Sequence, residues 1–241
     1  QAGSDFFHLH EIGVDGTGLR QLTAGEFDDY EPVYLPDGGI AFVSTRCQRW
    51  VNCWMTQVGV IYRCDANGQH LQLISANTEH DNTPWVLPDG RILYTRWEYV
   101  DRSQVEFHHL WTMNPDGSGQ TVFYGNMRSF IVMIDAKPIP GTGEILANFS
   151  PGHGVNEHAG IATIVTSDGG PDALGSARAL HKGGLIKDPY PLSRDLFLMA
   201  RNNQVVLMDA SGRSEVVHTQ QGPGAVHEPR PIQRHERERV V

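Results

Sequence analysis

The chain has 241 residues, 39% of them hydrophobic and 20% charged, and a net charge of −9. That is long enough to bury a sizeable core and too polar for a helical membrane protein, since no stretch approaches 18 apolar residues and no membrane span is expected. Nineteen Lys and Arg against 28 Asp and Glu leave no clustered positive surface for phosphates, which excludes nucleic acid as a partner.

Residues 1–28 read as the outer half of a structural repeat, two short strands about the turn Asp15-Gly16-Thr17-Gly18. From there an Asp-x-x-Pro signature recurs at Asp29, Asp81, Asp135 and Asp188, in steps of 52, 54 and 53 residues. A period of about 50 residues denotes stacked supersecondary units. Each signature is followed by a turn signal (Pro36-Asp37-Gly38, Pro88-Asp89-Gly90, Pro140-Gly141, then a degenerate Leu192 to Asp195) and a short apolar run such as Ile40-Ala41-Phe42-Val43 or Ile92-Leu93-Tyr94-Thr95. Runs of that length and β-favouring content are strands with a buried face. A further strand in each unit, for example Val60-Ile61-Tyr62-Arg63 or Ile161 to Val165, ends at an Asp/Gly turn that permits the positive φ of a tight hairpin. A short last strand such as Leu71-Gln72-Leu73-Ile74 leads to the next signature.

Four antiparallel strands repeated at this period make the blade of a β-propeller. The sequence therefore predicts an all-β propeller of about 52-residue, four-stranded blades. Residues 29–225 carry four consecutive blades, 1–28 the outer half of a partial one, and 226–241 the start of a further inner strand and a charged tail. A closed ring needs that half unit completed, so the chain is expected to be a portion of a longer polypeptide.

Loop lengths point to the working face. The connections around Arg46 to Gln57, Arg96 to His109 and Pro151 to Ala159 are long and lie on one side, whereas the opposite side carries tight turns around Asp37, Asp89, Asp116 and Gly117 that are expected to be bare. Binding and chemistry concentrate on loops held by a rigid scaffold. The stretch His153-Gly154-Val155-Asn156-Glu157-His158, with His80 near the channel mouth, has the donor types for zinc or another divalent transition metal, and solvated structural histidines are the alternative. Trp97, Asp101, His109 and Glu157 complete the expected binding face. Of His108 and His109 at most one can join a site, because neighbours on a strand point to opposite faces. The four repeat carboxylates either bond amides in their own turns or form an acidic channel mouth that binds a cation.

Three cysteines are present. In an oxidising compartment a Cys47 to Cys53 bridge would staple its loop and contribute about 2 kcal/mol by loop-closure entropy; a reduced pair and a share in a metal site are the alternatives. Cys64, at a strand end, is expected to stay a thiol. There is no nucleophile elbow, Walker loop, dinucleotide fingerprint or HExxH, and no Cys-x-x-Cys-His for covalent c-type haem.

The stretch Tyr34-Leu35-Pro36-Asp37-Gly38-Gly39-Ile40-Ala41-Phe42-Val43-Ser44-Thr45-Arg46 resembles the WD40-like repeats of TolB-type propellers, a periplasmic class. Leu87 to Arg102, Leu110 to Gly117, Phe149 to Gly154, Cys47 to Trp54 and the closing Glu228-Pro229-Arg230-Pro231-Ile232 resemble the propeller middle domain of hydrazine synthase alpha subunits and their relatives. The resemblance implies a periplasmic or extracellular propeller module that presents its long-loop face to a protein partner, a glycan or an adjoining redox domain. The alternative is an enzyme or enzyme subunit, either redox-active with haem supplied elsewhere, or a histidine- and metal-dependent polysaccharide lyase similar to the oligogalacturonate lyases.

Overall fold

The computed structural model describes residues 5–153, 158–166, 168–233 and 238–240. Glu157 and the charged stretch 234–237 lie outside the described residues. Among the described residues the regular structure is strand, with one short 3-10 turn at Leu174–Ser176.

Strands β1 (His10–Glu11) and β2 (Arg20–Gln21) pair as a two-stranded ribbon. A four-stranded antiparallel sheet follows: β3 (Asp29–Tyr34), β4 (Ile40–Ser44), β5 (Val60–Cys64) and β6 (Gln72–Leu73). The meander repeats as β7 (Asp81–Val86), β8 (Ile92–Trp97), β9 (Phe107–Met113) and β10 (Thr121–Tyr124). It repeats again as β11 (Ile131–Pro138), β12 (Glu144–Ser150), β13 (Ile161–Thr166) and β14 (Ala177–Ala179). A final sheet holds β15 (Lys187–Pro191), β16 (Leu196–Arg201), β17 (Gln204–Asp209) and β18 (Ser214–Thr219). Between the second and third meanders, β11 runs parallel to the start of β9 through Ile131↔Phe107 and Val132↔His108, so the two fuse into one eight-stranded sheet.

The apolar faces of successive sheets meet. Leu93, Leu110 and Tyr124 pack on Met133, Ile145 and Phe149, and Leu146, Ala162 and Ile164 pack on Phe197, Met199 and Val206. Ala41, Val43 and Ile61 likewise pack on Val86, Ile92 and Tyr94. Alternation along each strand puts those residues on one face, and burying a side chain of that size contributes about 1.5–3 kcal/mol. Turn glycines fix how closely the units approach: a Cβ on Gly68, Gly117 or Gly212 would run into the backbone of Leu22, Ile74 or Leu180, each just beyond the last strand of a preceding unit. All three glycines also have positive φ. This is a propeller stacked face to face, as the repeat predicts.

The repeat register needs correction. Asp29 and Asp81 open β3 and β7, whereas Asp135 is the fifth residue of β11 and Asp188 the second of β15. The positions that coincide are Glu31, Thr83, Asp135, Asp188 and Glu228, each with φ between 45° and 58°. In the first four units the inner strand is bulged at this point. An L-residue held in that region costs about 1–2 kcal/mol, and hydrogen bonds between units offset it. Thr83 N donates to Glu31 Oε2 (2.6 Å), Asp135 N to Thr83 Oγ1 (3.3 Å) and Glu228 N to Asp188 Oδ2 (2.9 Å). The side chain at the bulge thus caps the equivalent amide of the next unit, a relay around the axis that no Asp-x-x-Pro count reveals. Asp29 and Asp81 instead bind guanidinium groups, Asp29 with Arg46 (2.6 Å) and Asp81 with Arg96 (2.9 Å).

Candidate functional site

The long connections at residues 45–59 and 98–106, with the described residues 151–153 and 158–160 of the third, lie on one side of the sheets. The second is shorter than the sequence suggested, because β8 runs through Trp97 and β9 starts at Phe107. His108 and His109 are therefore strand residues, paired across to Trp97 and Arg96 respectively.

That pairing builds the site. Trp97 is 5% exposed, and its Nε1 donates to the Gln104 carbonyl (2.9 Å). Around its indole gather three imidazoles: His80 stacks with ring centroids 5.9 Å apart, His108 at 5.3 Å, and His153 tilts over it at 4.6 Å. His153 Nδ1 is 3.0 Å from His108 Nε2. These groups, with His158, Asn82, Cys53 and Trp54, line a cavity of about 220 Å³. Because β11 borders β9 there, Val132 and Ile134 close the wall, and the cavity draws on three units, with Cys53 and Trp54 from the first.

The imidazoles are held neutral. Burial pushes His108 down to about 3, and the neighbouring histidines add to the effect; burial likewise lowers His80, His153 and His158. Gly59 N donates to His80 Nδ1 (3.0 Å). In the neutral ring that leaves Nε2 carrying the proton, so His80 offers a donor and not a lone pair. The side-chain atoms Asn82 Oδ1, His108 Nδ1 and His158 Nδ1 are buried without a hydrogen-bond partner. Buried polar groups in native proteins are nearly always paired, so each of these unmet groups calls for an occupant.

Of the expected site residues, His80, Trp97, His153 and His158 come together in this cavity. His109 does not: it faces the other side of β9, stacked on Trp111 (5.9 Å) with Nε2 3.2 Å from Glu98 Oε1. Burial takes it down to about 4 despite that carboxylate. Asp101 is exposed in the turn of the 98–106 connection, away from the cavity lining. Glu157 lies outside the described residues. The member the sequence reading missed is His108; the strand register was the signal, since a strand extended to Trp97 pairs Trp97 with His108.

The expected bridge is not formed. Cys47, Cys53 and Cys64 are free thiols. Cys47 Sγ donates to the Val58 carbonyl (3.2 Å) beside the cluster of Val51, Val58, Val60 and Trp97, while Cys53 is exposed at the cavity. The short Trp50↔Gln57 bridge already pins the loop between backbone atoms.

Two further groupings of polar side chains lie along the inner strands. Asp135, Asp188 and Glu228 bring carboxylate oxygens within 4.8 Å of one another at the axial channel. Burial holds Asp135 well above the usual carboxylate range, while Lys137 and Arg230 outweigh the burial of Glu228 and keep it low. Asp135 is thus held protonated beside the Glu228 carboxylate, which Lys137 and Arg230 face. On the tight-turn side, expected to be bare, the inner strands enclose an apolar cavity of about 920 Å³ that includes Tyr34, Trp85, Lys137, Tyr190 and Arg230. Lys137 and Arg230 lie over Trp85 (5.2 and 5.0 Å), so two of its cations pack on the wall itself.

A scan against protein-family models found no match, and neither did a search of curated proteins. Solved structures do match. Hydrazine synthase of Kuenenia stuttgartiensis superposes with a TM-score of 0.79 at 19% identity, over 97% of this chain and 38% of that one. This is a TolB-like propeller resembling that of hydrazine synthase. A gluconolactonase from Xanthomonas campestris (TM-score 0.62, 18% identity, 90% of this chain and 70% of that) and TolB from Acinetobacter baumannii (0.52, 13%, 92% and 61%) share the fold. The chain thus spans about two fifths of the hydrazine synthase chain it matches. At these identities the likeness is one of fold. No described helix is long and apolar enough to cross a membrane.

Proposed function

We propose that this chain is the propeller module of a larger periplasmic or extracellular protein, with four complete blades and part of a fifth, and that its long-loop face docks an adjoining domain or subunit. The observation that carries this is the set of large apolar side chains exposed on the rim loops of that face. Trp54 is 75% exposed and Met55 90% in the 45–59 connection, and Phe130 is 64% exposed and Met127 63% in residues 125–130. Arg102 Nη1 bonds the Asn126 carbonyl (2.7 Å) and Phe130 N bonds the Glu106 carbonyl (3.0 Å), which ties the rim loops to one another. Large exposed apolar side chains gathered on one face mark interaction sites, and Trp and Met are over-represented at their centres. The fifth blade is supported by Glu228, which repeats the left-handed bulge of Glu31 and its equivalents. The extracytoplasmic location is supported by the fold shared with TolB.

Cys53 is a natural reporter, exposed beside Trp54. In the assembly purified from its native source, maleimide should label Cys53 at least tenfold more slowly than in the isolated chain, both in EDTA. Equal rates would refute docking on this face.

A further inference from the structure

The geometry points to a mononuclear site for a late first-row divalent ion such as Zn²⁺ in the histidine cavity, with His108 Nε2 and His153 Nδ1 as its two protein ligands and water completing its shell. Two imidazole nitrogens bound to one such ion at 2.0–2.1 Å lie about 2.9 Å apart at a right angle and about 3.4 Å apart in a tetrahedron. The 3.0 Å separation of His153 Nδ1 and His108 Nε2 falls within that range. In the free protein this contact is an N–H···N hydrogen bond between two neutral rings, so binding the ion moves the bridging proton to the other nitrogen of its own ring, with no net proton released and both ligands neutral. His158 lines the same cavity and its Nδ1 has no partner. Asn82 Oδ1, also unpartnered, accepts from water carried by the ion.

The chemistry of the donors selects the metal. Neutral imidazoles suit Zn, Cu, Ni and Fe, whereas Mg²⁺ and Ca²⁺ require oxygen ligands. His80 belongs to the cavity but not to the ligand set, because its Nδ1 lone pair is used by Gly59 N–H. His108 is buried on a strand between Trp97 and Val132, so one ligand is fixed by the sheet, and His153 reaches it from the loop of the next unit. The site needs no partner, so it stands or falls separately from the docking face.

The test is metal binding by the EDTA-stripped chain. Zn²⁺ is titrated calorimetrically and Co²⁺ by its visible absorption. One equivalent should bind with micromolar or tighter affinity, and His108→Gln and His153→Gln should each weaken it at least tenfold, with the circular dichroism unchanged. His109→Gln, on the opposite face, should bind as the parent does. Should a His108 variant fail to fold, zinc-edge X-ray absorption of the unaltered protein counts the ligands, and two or more imidazoles are expected. Absence of binding at 100 µM Zn²⁺, a coordination shell of oxygens alone, or loss of binding on Asp188→Asn with none on His153→Gln would overturn the assignment.

Discussion

Removing one partner of the Asp81–Arg96 pair tests whether the first two repeat aspartates are structural anchors. Arg96 Nε and Nη2 each donate to the Asp81 carboxylate at 2.9 Å, with 9% and 0% of the two side chains exposed. Asn77 Nδ2 donates to the same carboxylate (3.1 Å), and the guanidinium lies over Trp111 (4.5 Å) and bonds Gln120 Oε1 (2.9 Å). Asp81→Ala leaves that guanidinium charged, enclosed and short of its counter-ion, which costs about 3–5 kcal/mol. Against a typical total stability of about 5–15 kcal/mol that is a large fraction. Asp89–Arg91 is the control, a 2.7 Å pair with 51% and 38% of the side chains exposed, for which Asp89→Ala should cost no more than about 1 kcal/mol. Asp81→Leu combined with Arg96→Met removes both charges and should recover much of the loss, since replacing both members of a buried pair by apolar groups is often neutral. Urea denaturation at pH 7 with unchanged m-values measures all three. If Asp81→Ala costs no more than Asp89→Ala, or the double variant is as unstable as the single, the pair is not an anchor and the reasoning fails.

Burial pushes the Glu31 carboxyl from its ordinary 4.5 up to about 7. Between those values the folded state holds a proton that the unfolded chain has lost, so stability should fall as pH rises through this window, and Glu31→Gln should flatten the fall in urea midpoints; an unchanged slope would count against it. Gly117→Ala should lose about 2 kcal/mol or more, because its Cβ meets the Ile74 backbone at positive φ, whereas Gly141→Ala, at φ 71° with open space around it, should lose about 1 kcal/mol in thermal unfolding. Thiol titration in denaturant should count three thiols, and in the native state Cys53 should react first; a count of one would restore the Cys47 to Cys53 bridge.

The architecture was legible because it depends on local chemistry repeated at a fixed period. Apolar runs two to a unit, Asp/Gly turns and prolines in the inner strands each act through their own few residues, so the runs Ile40 to Ser44, Ile92 to Thr95 and their counterparts are placed without knowing their neighbours, although β8 extends on to Trp97. What the sequence left undecided is whatever depends on a one- or two-residue register across strands. The Asp-x-x-Pro signature aligns Asp135 with Asp29 although its structural equivalent is Glu31, because the signature starts two residues before the bulge in the first two units and at the bulge in the next two, and several side chains satisfy the same capping need. His109 was preferred to His108 for want of the Trp97↔His108 pairing, and in a strand one residue decides the face. Cys47 looked like half of a bridge until Val58 supplied its partner. The histidine cavity itself is assembled from the 45–59 connection, β7, β8, β9, β11 and histidines of the next unit, lining residues that span 107 positions from Val51 to His158. Only the stacking of one unit on another brings them together, because burial of the apolar faces, and not any attraction between imidazoles, sets that approach.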